Sequence, residues 1–163
     1  MGSQMNASFL ANPLTKKNML SNIQILKHIF SRFEVISHES EAEGLVRINY
    51  NLNAHPKETE DESRVWEVTL DLKFSQTEET TPQALGYEGR VVLTGLFIIH
   101  PDFKEEKVEA LARMNGGAVL MGAAREAILN QTLRSIHGPI ELPLIDARSF
   151  LPEEAEKTNL IPG

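Results

Sequence analysis

The stretch VWEVTLDLKF, residues 65–74, alternates apolar and polar side chains more regularly than any other part of the chain. Every second residue from Trp66 to Phe74 is apolar. The residues between them are polar: Glu67, Thr69, Asp71 and Lys73. Because successive side chains of a strand point to opposite faces, this pattern predicts a β-strand with one buried face and one face in water.

Similar patterns on both sides of this stretch predict a sheet. Upstream, residues 46–52 (VRINYNL) alternate strictly, and residues 23–35 also have the spacing of a strand. Downstream, residues 87–99 predict a fourth strand, which becomes apolar on both faces from Val91. Four successive strands with hairpin-length connections predict an antiparallel sheet.

The first predicted strand carries apolar side chains on both faces. Its odd positions form one apolar face: Ile23, Ile25, Ile29, Phe33 and Val35. The opposite face carries Leu26 and Phe30 among polar residues. This second face predicts either burial at a subunit interface or an apolar groove for an extended polypeptide, because exposed apolar patches usually mark interaction surfaces. The candidate client-binding residues are Leu26 and Phe30 on this second face, together with Phe33 on the first.

Two helices are predicted after the sheet, over residues 102–114 and 118–136, because Asn115-Gly116-Gly117 interrupts the helical pattern. The first half of the second helix is apolar almost all round, which predicts burial on more than one side. We expect this helix to pack against a partner subunit as well as against the sheet. The candidate oligomer-interface residues are Val119, Met121 and Ala123. The predicted fold class is α+β, with a four-stranded antiparallel sheet followed by two helices packed on one side.

The composition narrows the classes of function. The 163 residues include no cysteine and carry a formal net charge of −7. Affinity for a phosphate backbone rests on Lys and Arg, so we expect no binding to nucleic acid. No apolar run approaches the roughly 20 residues that span a bilayer. The N-terminus has no secretory pattern. A cytoplasmic protein without membrane insertion is expected.

Neither catalysis nor cofactor binding is predicted. The five histidines lack a compact ligand spacing such as H-E-x-x-H. No serine lies in G-x-S-x-G, and no glycine-rich nucleotide motif is present. We therefore expect no catalytic residue, no metal and no cofactor, and a protein that is not an enzyme.

Three segments are expected along the chain. Residues 1–22 are interpreted as a leader followed by an N-terminal arm, since Met1-Gly2-Ser3-Gln4 precedes a second methionine and is typical of a cloning leader. Residues 23–150 form the predicted domain. Residues 151–163 are interpreted as an acidic C-terminal tail.

Five short stretches, taken in chain order, match the pattern of one known family. They are residues 31–34 (SRFE, for S-F-E), 65–70 (VWEVTL, for E-V-x-L), 94–97 (TGLF, for A-G-I-F), 119–126 (VLMGAARE, for I-L-F-P-Y-A-R-E) and 139–142 (PIEL, for P-L-N-L). Over about residues 23–150 the chain thus resembles the SecB family of protein-export chaperones. One departure is Gly122-Ala123, which replaces the family's Pro-Tyr.

This resemblance implies an ATP-independent holdase that binds unfolded or precursor polypeptides in apolar grooves. It also implies a homotetramer, built as a dimer of dimers with long helices between the dimers. The family docks on the SecA translocase motor through acidic residues near S-F-E. Glu34 is the candidate docking residue, whereas Phe30 stands at or near the position of another acidic residue. We therefore expect weaker binding to SecA than that of an export SecB.

Three alternatives stay open at the level of sequence. A SecB-like chaperone could serve one dedicated partner such as an antitoxin. A small-ligand-binding domain could share the fold, and a deep pocket lined by convergent polar groups would favour it. The acidic loops around residues 39–43 and 58–62 could instead recruit a basic partner, and salt-sensitive binding would favour that adaptor role.

Overall fold

The computed structural model describes residues 21–39, 45–77 and 85–152. The four strands in this part of the chain are β1 (Ile23–Ser37), β2 (Leu45–Lys57), β3 (Val65–Thr77) and β4 (Tyr87–Ile99). They form one sheet in the order β1-β4-β3-β2, and all pairs are antiparallel. The predicted α+β class and the antiparallel sheet are confirmed. The tail after Pro152 and nearly all of the predicted leader and arm lie outside the described residues.

The sheet order explains the composition of β4. Strands β2, β3 and β4 follow one another as a meander, but β1 pairs with β4 and not with β2. β4 therefore lies between β1 and β3, and its run of apolar residues from Val91 is buried or half-buried. β1 and β2 are the two edge strands of the sheet.

A single helical run follows the sheet. It begins with a 3₁₀ turn and continues through α1, a π-helical turn and α2, over Glu105–Lys107, Val108–Leu111, Ala112–Gly116 and Gly117–Thr132. The prediction of two helices separated by Asn115-Gly116-Gly117 is therefore wrong. The predicted helix end at residue 136 is also too late by four residues, because α2 ends at Thr132.

Packing explains why the two glycines do not interrupt the helix. A Cβ atom added to Gly116 would lie 3.0 Å from the Val68 side chain, and one added to Gly117 would lie 2.7 Å from the Phe150 ring. Both glycines thus allow the helical run to approach its neighbours closely. Tertiary contacts override the low helix propensity of glycine here.

The core lies between one face of the sheet and α2. Alternate residues of β3 and β4 face the helix and are buried: Val68, Leu70, Leu72, Phe74, Val91, Leu93 and Phe97. The helix contributes buried residues three or four positions apart: Leu120, Met121, Ala124 and Ile128. The burial predicted from the alternation of residues 65–74 is confirmed.

The segment after α2 runs back along the helix and closes the core. Ile140 and Leu142 are buried, and Arg125 Nε donates a hydrogen bond to the Leu142 carbonyl oxygen at 2.9 Å. Further on, the Phe150 ring packs edge to face against Tyr50 on β2, with ring centroids 5.3 Å apart.

One buried hydroxyl joins this returning segment to α2. Thr132 Oγ1 donates to the Ile128 carbonyl oxygen at 2.8 Å and accepts from the Ile140 N–H at 3.0 Å. Thr132→Val keeps the side-chain shape but leaves a buried N–H without an acceptor. We expect the free energy of unfolding to fall by about 1–3 kcal/mol in urea denaturation.

Ser135→Ala is the matched control for this change. The Ser135 hydroxyl donates only to the Gln131 carbonyl oxygen, at 3.3 Å, in a more exposed place. Its removal should change the free energy of unfolding by less than about 0.5 kcal/mol. An unchanged unfolding midpoint for Thr132→Val would show that the Ile140 N–H does not depend on this hydroxyl.

Candidate functional site

Two β-bulges in β1 decide which of its side chains share a face. The register against β4 shifts between Ile25 and Lys27, and again between Phe30 and Arg32. Each bulge adds one residue and so reverses the alternation of side chains. The face of β1 that lies on the core side consequently carries Ile23, Ile25, His28, Phe30, Phe33 and Val35.

The prediction that the odd positions of β1 form one face is therefore wrong. Ile29 pairs with Thr94 on the opposite side of the sheet. Phe30, expected to face away from Phe33, lies on the same face. The physical reason is that alternation holds only while the two strands advance together, and each bulge breaks that condition.

Phe30 and Phe33 form the floor of a groove between β1 and α2, called the apolar groove below. Their rings meet edge to face with centroids 5.9 Å apart, and the two residues are 39% and 38% exposed. Together with Ala127, Asn130 and Gln131 of α2 they line an open cavity of about 440 Å³. Covering the exposed parts of the two rings would be favourable, because apolar surface gains free energy when it leaves water.

Other partly exposed apolar residues lie along α2 toward its start. Val119, Ala123 and Ala127 follow at four-residue intervals, which places them along one side of the helix. Val119 is 44% exposed and Ala123 is half-buried. On β1, Ile25 is exposed on the same face of the strand as Phe30 and Phe33. The predicted interface residues Val119 and Ala123 thus lie on the same side of α2 as Ala127, which lines the apolar groove.

Three other predicted residues lie elsewhere. Met121 is 4% exposed and packs in the core of its own chain, which leaves almost none of its surface for a partner. Leu26 is the extra residue of the first bulge and is half-buried. Glu34 lies on the opposite face of the sheet, where its carboxylate accepts a hydrogen bond from Arg32 at 2.8 Å. The interface role stays a prediction for Val119 and Ala123.

The face of the sheet opposite α2, called the outer face below, is polar. The Arg90 guanidinium donates two hydrogen bonds to Asp71, at 2.9 Å and 2.6 Å, and these lower the pKa of the Asp71 carboxyl below its ordinary value. A hydrogen bond from Lys57 likewise lowers the pKa of Glu67. The hydroxyls of Thr69 and Thr94 are 2.8 Å apart. These contacts lie on the face of β3 that the alternation of residues 65–74 predicted to be in water.

A metal-binding group and a membrane-spanning helix are both absent from the described residues. Within residues 21–39, 45–77 and 85–152, no group of three or more His, Asp or Glu side chains could hold a metal ion. The same ranges contain no helix with the length and apolar character needed to cross a bilayer.

Sequence reasoning missed Ala127, Asn130 and Gln131 as residues of the apolar groove. Ala127 could have been found, because it lies four residues after Ala123 and so shares its side of the helix. Ile25 was assigned to the same face as Phe33, but nothing in the local pattern indicated that Phe30 joins them. That arrangement depends on the bulges and hence on the pairing of β1 with β4.

Comparison with known proteins gives a likeness in fold to solved structures. No family model and no curated protein matches this chain. The fold is similar to that of a SecB-like chaperone from Mycobacterium tuberculosis, in complex with a ChAD peptide from an antitoxin. That match has a TM-score of 0.56 and 17% identity, and it covers 77% of this chain and 91% of the other.

A second solved structure is a protein of unknown function from Streptococcus agalactiae. Its TM-score is 0.47 with 15% identity, and the match covers 75% of this chain and 97% of that one. At these identities a likeness concerns the fold alone, and only the first match is close enough to support an argument. The chain has a fold similar to that of a SecB-like chaperone.

Proposed function

We propose that this protein is a SecB-like chaperone that holds extended apolar segments of non-native polypeptides without ATP. The observation that carries the proposal is the pair of rings in the apolar groove. Phe30 and Phe33 touch each other on an edge strand, yet each keeps nearly two fifths of its surface exposed. Neighbouring exposed apolar side chains of this kind mark an interaction surface.

The chemistry of the groove suits this task. Burial of apolar client side chains gives about 25 cal/mol per Å² before the costs of ordering the client. The interaction is non-directional, so many sequences can be accepted. Asn130 and Gln131 at the rim can exchange hydrogen bonds with a client backbone without selecting a particular side chain.

The difference between the two edge strands supports β1 as the strand that binds an extended client. β2 carries Pro56 and Lys57 near its end, and both residue types discourage pairing with another strand. β1 has large apolar residues on both faces, and in the described sheet only β4 pairs with it. Its free edge can therefore accept an extended polypeptide by strand addition, while its rings bind alternate client side chains.

The finer parts of the proposal concern assembly and partners. We infer a homotetramer in the cytoplasm, a dimer of dimers in which Val119 and Ala123 lie between subunits. Precursor polypeptides for export are one class of client. A dedicated partner is the second candidate, favoured by the antitoxin peptide bound to the Mycobacterium tuberculosis protein. Docking of SecA at Glu34 should be weak, because Arg32 already pairs with that carboxylate and Phe30 lies on the other face.

The test is suppression of aggregation without nucleotide. A chemically unfolded test protein is diluted with and without an equimolar amount of this protein, and light scattering is followed. We expect scattering to fall substantially, and an extended apolar peptide to bind more tightly than its serine-substituted version in fluorescence anisotropy. Unchanged scattering together with equal binding of the two peptides would refute the holdase function.

A further inference from the structure

The outer face of the sheet contains a shallow hollow with a cation from each of the four strands. These cations are Arg32 of β1, Arg90 of β4, Lys73 of β3 and Arg47 of β2, and the hollow, called the basic hollow below, measures about 580 Å³. It lies on the side of the sheet away from α2, so it is separate from the apolar groove. Its floor is the strand backbone around Gly89, Phe74 and Ile48.

The charge of the basic hollow is opposite to that of the whole chain. Its lining contains four cations and two carboxylates, Glu34 and Glu88, whereas the chain has a net charge of −7. Glu34 pairs with Arg32 at 2.8 Å, and Glu88 lies 3.1 Å from His38, which is charged only when protonated. With Asp71, the partner of Arg90, four cations stand against three carboxylates, which leaves a small local excess of positive charge.

Two of the cations lack a carboxylate partner among the described residues. Arg90 uses its guanidinium on Asp71, but Arg47 and Lys73 are exposed and make no ion pair in this part of the chain. Lys73 also lies directly opposite Arg90 in the pairing of β3 with β4. Like charges in that position destabilise a sheet, and the ion pair with Asp71 compensates the charge of Arg90 but leaves Lys73 exposed.

We propose that the basic hollow binds an acidic, extended segment of a partner polypeptide. Four neighbouring strands span about 14 Å, because adjacent strands are roughly 4.8 Å apart. An extended chain places alternate side chains on one side at intervals of about 7 Å. Acidic residues at positions i, i+2 and i+4 would therefore match the width of the hollow.

The same observations disfavour other anionic occupants. A nucleic acid presents dense phosphate charge, and the surrounding chain with its net charge of −7 would repel it. The carboxylates of Glu34 and Glu88 inside the hollow repel a continuous run of phosphates at close range, whereas the neutral residues of an alternating acidic segment can lie beside them. A free inorganic anion would need converging donors that exclude water, whereas Arg47 and Lys73 are exposed. A segment that alternates acidic with neutral residues fits a lining that mixes both signs.

The inference is independent of the holdase function, because the two sites occupy opposite faces of the sheet. Its test uses a labelled peptide that alternates Glu and Thr, titrated with the full chain at low salt by fluorescence anisotropy. The double variant Arg47→Ser/Lys73→Ser should weaken binding about tenfold, since each exposed charge pair contributes a factor of about two to five. Binding of the native chain should also weaken steeply as salt is added.

A control with the same change in net charge separates local from general electrostatics. Lys104→Ser/Lys107→Ser alters two exposed cations beside the 3₁₀ turn, away from the hollow, and should change the affinity by less than about twofold. Unchanged unfolding midpoints for both variants would confirm that the fold is intact.

Four results would overturn the inference. The first is an equal loss of affinity in the control, and the second is equal binding of a Lys-Thr peptide. The third is tighter binding of a single-stranded oligonucleotide, which would indicate a phosphate ligand. The fourth is a tenfold gain in peptide affinity on deletion of residues 153–163, which would assign the hollow to the chain's own tail.

Discussion

Replacing Phe30 and Phe33 together by serine is expected to weaken the binding of an extended apolar peptide at least about 30-fold. Each residue leaves nearly two fifths of its surface exposed. An aromatic side chain buries about 150–250 Å², so the pair offers a client roughly 120–200 Å². At about 25 cal/mol per Å² this area corresponds to about 3–5 kcal/mol before ordering costs. A loss of about 2 kcal/mol already gives the 30-fold change.

The measurement is an anisotropy titration of the peptide, with aggregation suppression as the second readout. The matched control is Ile29→Ser/Ile36→Ser, which removes two exposed apolar residues from the outer face of the same strand. It should leave peptide binding within about threefold of the native chain. Equal losses in the two double variants would mean that overall apolarity of β1, and not the apolar groove, binds the client.

A second variant distinguishes a loss of peptide binding at the groove from a loss of folding. About three fifths of each ring's surface is covered within its own chain, so serine also removes some of those contacts. Ala127→Arg keeps both rings and places a long charged side chain over the cavity that they line. We expect a similar loss of peptide binding with a native circular dichroism spectrum. Full binding by Ala127→Arg would place the client outside this groove.

Val119→Asp is expected to convert the proposed homotetramer into smaller species. Val119 is 44% exposed in the single chain, on the side of α2 that borders the apolar groove. At a subunit interface the new carboxylate would lose water without gaining a partner, which costs several kcal/mol. Light scattering coupled to gel filtration should show the decrease in mass.

Leu144→Asp is the control for this variant. Leu144 is 84% exposed and lies in the segment after α2, so an added charge there should leave the mass unchanged. The circular dichroism spectra of both variants should be native. An unchanged mass for Val119→Asp, or a native chain that is already monomeric at micromolar concentration, would exclude this side of α2 from an interface.

Phe30→Ser/Phe33→Ser and Val119→Asp together separate client binding from subunit contact, the two roles predicted for the apolar residues of β1. Val119 lies about two helical turns before Ala127 and does not line the cavity beside the rings. We therefore expect Val119→Asp to keep peptide binding within about threefold. A client and a neighbouring subunit would then use different parts of the same side of α2.

Local patterns in the sequence were enough to predict the strands and their class of sheet. Residues 65–74 indicated β3 because alternation of side chains is a property of each strand alone. Residues 87–99 coincide with β4, whose two apolar faces reflect its place inside the sheet. The overall α+β class followed from the order of these elements, and the apolar character of β1 predicted an interaction surface on that strand.

Tertiary structure alone decided how those elements combine into surfaces. The bulges that bring Phe30 beside Phe33 belong to the pairing of β1 with β4, and nothing in the sequence of the first strand specifies that partner. The helical run continues through Gly116 and Gly117 because Val68 and Phe150 pack where side chains would otherwise lie. The cations of the basic hollow come from four strands that are distant in sequence, and only the sheet places them side by side. Alternation and composition are local, whereas register, close approach and charge clustering depend on contacts between distant parts of the chain.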